Sequence, residues 1–190
     1  MSKQPTRNEW RVIQRAEKVW EEAQATYLIP EDINLVVRLL GNRSMRTLSP
    51  NKRKPPPSGM AEYNAETRTG IIYINREAVK QNPQWVKDDV VPHEIAHVIC
   101  FMYPHLGVGH DEGWQEVSKR LGGTGKVTFN NECDLRIIKP PRYIYLIPGV
   151  KDNIYLSPQR HNYLQSGEGI YRFKESGIEI RKEHYTGRWL

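Results

Sequence analysis

Two histidines four residues apart with a glutamate between them, in His93-Glu94-Ile95-Ala96-His97, are the residues of this sequence best suited to chemistry. On a helix of 3.6 residues per turn both imidazoles fall on one face about a turn apart, so they can grip one metal ion while Glu94 faces water. This pattern serves metal-dependent hydrolysis of peptide bonds, with zinc as the ion. A catalytic zinc takes three protein ligands and keeps a fourth position open. The third ligand must come from elsewhere, and His105, His110, Glu112 and Glu116 lie close downstream. A glutamate would complete a set of two histidines and one carboxylate, and His110 would complete a set of three histidines. The form that needs a histidine at position 103 is excluded by Tyr103. The bland alternative is a pair of ordinary helix histidines beside a surface glutamate. It is disfavoured by Val90, Val91, Ile95, Val98, Ile99 and Met102, which give the segment a face to bury.

The elements that must position these residues can be read around them. Asn82-Pro83 predicts a helix start, with Asn as cap and Pro at the first helical position, and the helix runs through His93 towards Met102. Pro92 is an interior proline, which demands either a kink or a fresh helix start. Pro104 and Gly107 end the helix, and another is predicted from about Asp111 to Leu121, stopped by Gly122-Gly123. Upstream, Trp10, Ile13, Ala16, Glu17, Trp20 and Ala23 predict an amphipathic helix over residues 8–28, closed by Pro30. Residues 33–40 predict a strand, and 60–64 with 71–74 predict a hairpin turning at Gly70, which gives a small antiparallel sheet. Residues 41–59, including Pro55-Pro56-Pro57-Ser58-Gly59, have loop composition, so their basic side chains are expected on a mobile surface arm. After Pro140-Pro141, the aromatic and β-branched pieces 143–147, 153–156, 170–173 and 178–180 predict a small β-rich appendage.

At 190 residues the chain can hold one domain with a real core and a small module beside it. No apolar run is long enough to span a bilayer, and the polar first 20 residues contain no signal-peptide core, so a soluble, cytoplasmic protein without a membrane partner is expected. Two cysteines, Cys100 and Cys133, are too few for a disulfide framework and read as reduced thiols. The net charge of +6 is unevenly spread: residues 38–57 carry Arg38, Arg43, Arg46, Lys52, Arg53 and Lys54 with no acid, whereas 62–137 are slightly acidic. Basic clusters of this kind suit a polyanion, and Arg43, Arg46, Lys52, Arg53, Lys54, Arg160 and Arg172 are the candidate nucleic-acid contacts. Tyr143, Tyr145, Tyr155, Tyr163, Tyr171 and Phe173 interleave with Arg142, Arg160 and Arg172, a combination that can stack single-stranded bases. Rings that alternate inward into a small β core explain the same pattern more simply.

Val91-Pro92-His93-Glu94-Ile95-Ala96-His97, followed by Gly109-His110-Asp111-Glu112-Gly113-Trp114, resembles the SprT-like metallopeptidase family. There the third ligand is the histidine of a Gly-His-Gly-x-x-aromatic motif opening the next helix. The resemblance therefore implies His110, with Asp111 standing where the family has glycine. Residues 70–75 are similar to the family's strand before the metal helix. Residues 156–162 and 169–173 are similar to its zinc ribbon, in which an Arg-His-Asn stretch lies between two cysteine pairs. Those cysteines are missing here: residues 145–149 and 171–177 hold their places. A structural zinc cannot form without its ligands, so the ribbon-like module is expected to rest on aromatic packing, with His161 a structural residue.

The expectations are then these. The fold is α+β: a small antiparallel sheet with a zincin-type HExxH helix and flanking helices over residues 1–139, plus a β-rich, ribbon-like module over 140–190. The chain is a zinc metalloendopeptidase with one catalytic zinc on His93, His97 and His110 and with Glu94 as general base. The resemblance implies protein substrates associated with DNA, and DNA itself, single-stranded or crosslinked to protein, as a partner. The competing readings are a nucleic-acid-binding protein whose metal site is structural or vestigial, and a metal-dependent hydrolase of a non-protein amide.

Overall fold

The computed structural model describes residues 4–51, 54–128, 132–136, 142–167, 169–172 and 177–190. The chain divides into two compact units, residues 1–137 and 138–190.

The first unit begins with helix α1 (Arg7–Tyr27), opened by a capping box. The Thr6 hydroxyl accepts from the Glu9 N–H, and the Glu9 carboxylate accepts from the Thr6 N–H. Its buried stripe is Val12, Ala16, Val19 and Ala23 with Trp20, whereas Trp10 is half exposed. The stripe expected through Trp10 and Ile13 is thus rotated: small side chains make the close contact, and the larger rings lie on its rim or beyond. The helix ends at Leu28, in the left-handed region at φ 52°, ahead of Pro30.

Strand β1 (Asn34–Leu40) leads into helix α2 (Asn42–Leu48), followed by strands β2 (Gly59–Asn64) and β3 (Thr69–Asn75). The sheet order is β1-β3-β2. β2 and β3 form the antiparallel hairpin, and β1 adds to the other edge of β3 in parallel, in register from Asn34 opposite Thr69 to Leu40 opposite Asn75. A parallel neighbour requires a crossover, which the segment carrying α2 and β2 supplies. The basic stretch expected as a mobile arm is therefore helical over Asn42–Leu48, where Met45 is fully buried. Pro56 is buried as well. Ile72 and Ile74 of β3 face the core.

Helices α3 (Arg76–Gln81) and α4 (Pro83–Trp85) follow, each capped by an asparagine: Asn75 accepts from the Glu77 N–H and Asn82 from the Trp85 N–H. Residues Val86–Val90 form a π-helical turn, in which the Val91 N–H bonds to the Val86 carbonyl, and this turn runs directly into helix α5 (Val91–Met102). That turn is how the chain absorbs Pro92. The proline removes one ladder bond and crowds the carbonyl four residues back, and a wider turn relieves both. α5 packs against α1, the sheet and helix α6 (Glu112–Arg120) around a core that includes Val90, Val91, Ile95, Val98, Ile99 and Trp114.

The second unit contains strands β4 (Tyr143–Tyr145) and β5 (Ile154–Leu156), helix α7 (Pro158–Gln165), strands β6 (Tyr171–Arg172), β7 (Glu179–Ile180) and β8 (Tyr185–Trp189). β5-β4-β8 form an antiparallel sheet and β6-β7 a short hairpin. The core is Tyr145, Ile147, Ile154, Leu156, Leu164 and Ile180. His161 on α7 stacks flat on Tyr143 at 3.6 Å between centroids, and its Nδ1 lies 2.9 Å from the Tyr145 hydroxyl. Gln165 donates to the same hydroxyl at 3.2 Å. Of the rings named from sequence, Tyr143, Tyr145 and Tyr171 turn inward here, Tyr155 and Tyr163 remain exposed, and Phe173 lies outside the described residues.

Candidate metal centre

α5 carries His93, Glu94 and His97 in its first two turns, as the four-residue spacing requires. His110 comes from the loop between the 3-10 turn Pro104–Leu106 and α6, and three features aim it at α5. Gly109 adopts φ 65°, a backbone conformation that favours glycine. Asp111 caps α6, one carboxylate oxygen accepting from the Trp114 N–H at 2.8 Å and the other from the Val108 N–H at 2.8 Å. The loop also packs so closely on the start of α6 that a side chain at Gly107 would strike the Trp114 backbone. The aspartate that departs from the family's glycine is thus a helix cap that grips both sides of His110. Its carboxyl is held below the usual range by those backbone donors.

The result is a convergence of three imidazoles. Nε2 of His110 lies 3.0 Å from Nε2 of His97 and 3.2 Å from Nε2 of His93. Tetrahedral ligands about 2.0–2.1 Å from a zinc ion stand about 3.3 Å apart, so these nitrogens are spaced for one small ion. Two neutral rings that face each other can share only one proton, whereas a cation between all three satisfies every lone pair. The residues present therefore fit a metal ion. Among the described residues these three form the one group of histidine, cysteine or carboxylate side chains close enough together to hold one. Of the alternative third ligands, Glu112 is exposed, Glu116 pairs with Arg120 at 3.0 Å, and His105 is exposed beside Tyr103 beyond the far end of α5. Trp114, fully buried, forms the wall: its ring centroid lies 4.5 Å from those of His93 and His110 and 4.9 Å from that of His97.

Burial sets the electrostatics. It pushes His93 down to about 3, helped by the neighbouring His97 and His110, with the Lys126 backbone opposing. It likewise pushes His97 down to about 4, with His110 contributing, and lowers His110. All three rings are thus neutral near pH 7, the form that binds metal. Glu94, only 5% exposed, is pushed up to about 8 by burial. It lines, with His93, Pro57, Gly59, Trp85 and Leu135, a cleft of about 570 Å³. Gly59 was read from sequence only as the end of a loop, yet it lies directly against the Glu94 side chain.

The candidate nucleic-acid residues are placed as follows. Arg43 is exposed on α2, and Arg46 is half buried on the same helix, with its guanidinium 3.5 Å from the Lys54 carbonyl. Lys54 is exposed, and Lys52 and Arg53 lie outside the described residues. In the second unit Arg160 sits over the Tyr171 ring at 5.8 Å and Arg172 pairs with Glu179 at 3.3 Å.

Residues 41–134, from the start of α2 to the segment that closes the cleft, match the SprT-like family. This segment belongs to that family. Protein SprT of Pasteurella multocida is 29% identical over 127 residues, 62% of this chain and 74% of the relative. Protein SprT of Actinobacillus succinogenes is 26% identical over 111 residues, 55% of this chain and 64% of the relative. Protein SprT of Erwinia tasmaniensis is 24% identical over 153 residues, 77% of this chain and 88% of the relative. No solved structure gives a significant match. The segment matched to the SprT-like family contains all three converging histidines and Glu94, and it stops short of the second unit.

Proposed function

We propose that this SprT-like chain is a zinc-dependent endopeptidase. The observation that carries the reading is the convergence of His93, His97 and His110 beside a buried carboxylate that opens on a cleft. Three neutral imidazoles with room for a further ligand are the donor set of a catalytic zinc. Bound there, zinc would polarise a scissile carbonyl and acidify water. The chain's own work falls to Glu94, whose carboxyl oxygens would take a proton from attacking water and return it to the leaving amine nitrogen. Burial alone favours the protonated carboxyl, and the positive charge of a zinc held beside it would favour the ionised form that a base needs. Trp114 holds the three rings in place and keeps water from their inner side. The free thiols Cys100 and Cys133 suit a cytoplasmic setting.

Substrates associated with DNA are part of the proposal. Arg160 over Tyr171, with Tyr155 and Tyr163 exposed nearby in sequence, supports a module that stacks single-stranded bases. The same observation favours a second reading, a nucleic-acid-binding protein whose metal is structural. One set of measurements separates the two. Purified wild-type protein should hold about one zinc per chain. Glu94→Gln should abolish cleavage of unfolded and DNA-crosslinked protein and keep the metal. A wild type without metal would overturn the peptidase reading. Salt-dependent DNA binding with no proteolysis by the wild type would favour the second.

A further inference from the structure

We propose that Gly59 is a positioning residue for Glu94: the volume its absent side chain leaves is the volume in which the carboxyl group of the base lies. The inference rests on the reading of Glu94 as general base. A Cβ built on Gly59 would stand 2.7 Å from Cγ and 2.8 Å from Cδ of Glu94, and closer still to Oε1. Nothing in the backbone asks for glycine at this position, since Gly59 is not among the residues with positive φ. It is the first residue of an ordinary strand, paired with Ile74. The demand comes from the neighbouring element alone.

The backbone cannot retreat on either side of the contact. Gly59 is tied down by Asn75, which is fully buried. The Asn75 N–H donates to the Ser58 carbonyl at 2.9 Å, and its side-chain amide donates to the Pro57 carbonyl at 3.0 Å and to the Asn42 side chain at 2.8 Å. On the other side Glu94 stands on α5 next to Ile95 and Ala96, both fully buried, so its backbone cannot withdraw. An added methyl would therefore have to turn the Glu94 side chain away from its present place at the floor of the cleft. Displacements of about 1 Å in a reacting group cost on the order of 100-fold in rate.

The test is Gly59→Ala in the full chain. Metal content should stay at that of the wild type and KM should hold within about 3-fold, while kcat falls by about 100-fold. Gly70→Ala, in β3 of the same sheet, is the control: its methyl would press on the side chain of Val98, one turn further along α5, and not on that of Glu94. It should lower the thermal midpoint and spare kcat. A second readout needs no activity. If the clash is with Glu94, any loss of thermal midpoint in Gly59→Ala should be largely recovered by adding Glu94→Ala, which removes Cγ and the whole carboxyl group. A Gly59→Ala enzyme with kcat within about 3-fold of the wild type overturns the proposal. So does a Gly59→Ala chain whose failure to fold or loss of midpoint is undiminished by Glu94→Ala. Full cleavage by Glu94→Gln would instead sink the base reading itself. Inactive Glu94→Gln beside fully active Gly59→Ala sinks only the role of Gly59.

Discussion

The buried side chains of the metal centre titrate in opposing directions, which fixes how the metal-free protein should respond to pH. His93 and His97, at about 3 and 4 against an ordinary 6.5, refuse protons that the unfolded chain accepts. Their share of stability is therefore lost as pH falls below 6.5. Glu94, at about 8 against 4.5, keeps a proton that the unfolded chain releases, so its share is full below 4.5 and is lost as pH rises through 8. Two histidines outweigh one carboxyl on the acid side, and the carboxyl acts alone above 6.5. The thermal midpoint of metal-free protein should peak near pH 6.5, and Glu94→Gln should remove the alkaline decline and steepen the loss between pH 6.5 and 4.5; a wild-type midpoint that climbs steadily to pH 8 would contradict this. At this scale the sequence was most informative where chemistry depends on local spacing. His93 and His97 must share a face because they are one turn apart. His110 reaches them through a loop whose path no periodicity encodes, so it was legible only by likeness to a motif. Gly59 was not legible at all, because its contact with Glu94 joins residues far apart in the chain.

Elements with a strong apolar stripe or an explicit cap could be read; those held by one anchor could not. The hairpin of β2 and β3, helix α6 and the start at Asn82-Pro83 all follow from turn, stop and cap residues. α2 has a single fully buried side chain, Met45, so its seven residues show no stripe and resemble a loop. α7 has only Leu164 buried, and its one local signal is Ser157-Pro158, with the Ser157 hydroxyl accepting from the Arg160 N–H. Met45→Ala should cost about 2–5 kcal/mol in chemical denaturation if α2 is fastened through that side chain. A loss below about 0.5 kcal/mol would mean that the helix is a surface decoration. Asp111 is the corresponding fastening for the loop that carries His110. Asp111→Ala should weaken metal affinity by about 10-fold in a chelator competition while His93 and His97 stay in place. Unchanged affinity would show that the cap does not govern His110.

For the molecule as a whole, the two units make different demands on a metal. The first has a cluster of three converging histidines; the second has a hydrogen-bonded stack of His161, Tyr143, Tyr145 and Gln165. Chelation should accordingly empty about one site per chain and leave the tyrosine near-ultraviolet signal of the second unit intact. A second equivalent of bound zinc would refute that division. Tyr145→Phe should act on the second unit alone, costing about 1–3 kcal/mol for the partners left unsatisfied. The segment 142–190 is also closed on itself: Arg142 and Leu190 exchange backbone hydrogen bonds at 3.0 and 2.9 Å, beside the pairing of β4 with β8. A segment whose entry and exit are adjacent can be spliced into a surface turn of another protein as a closed insert, with no need to stretch its host.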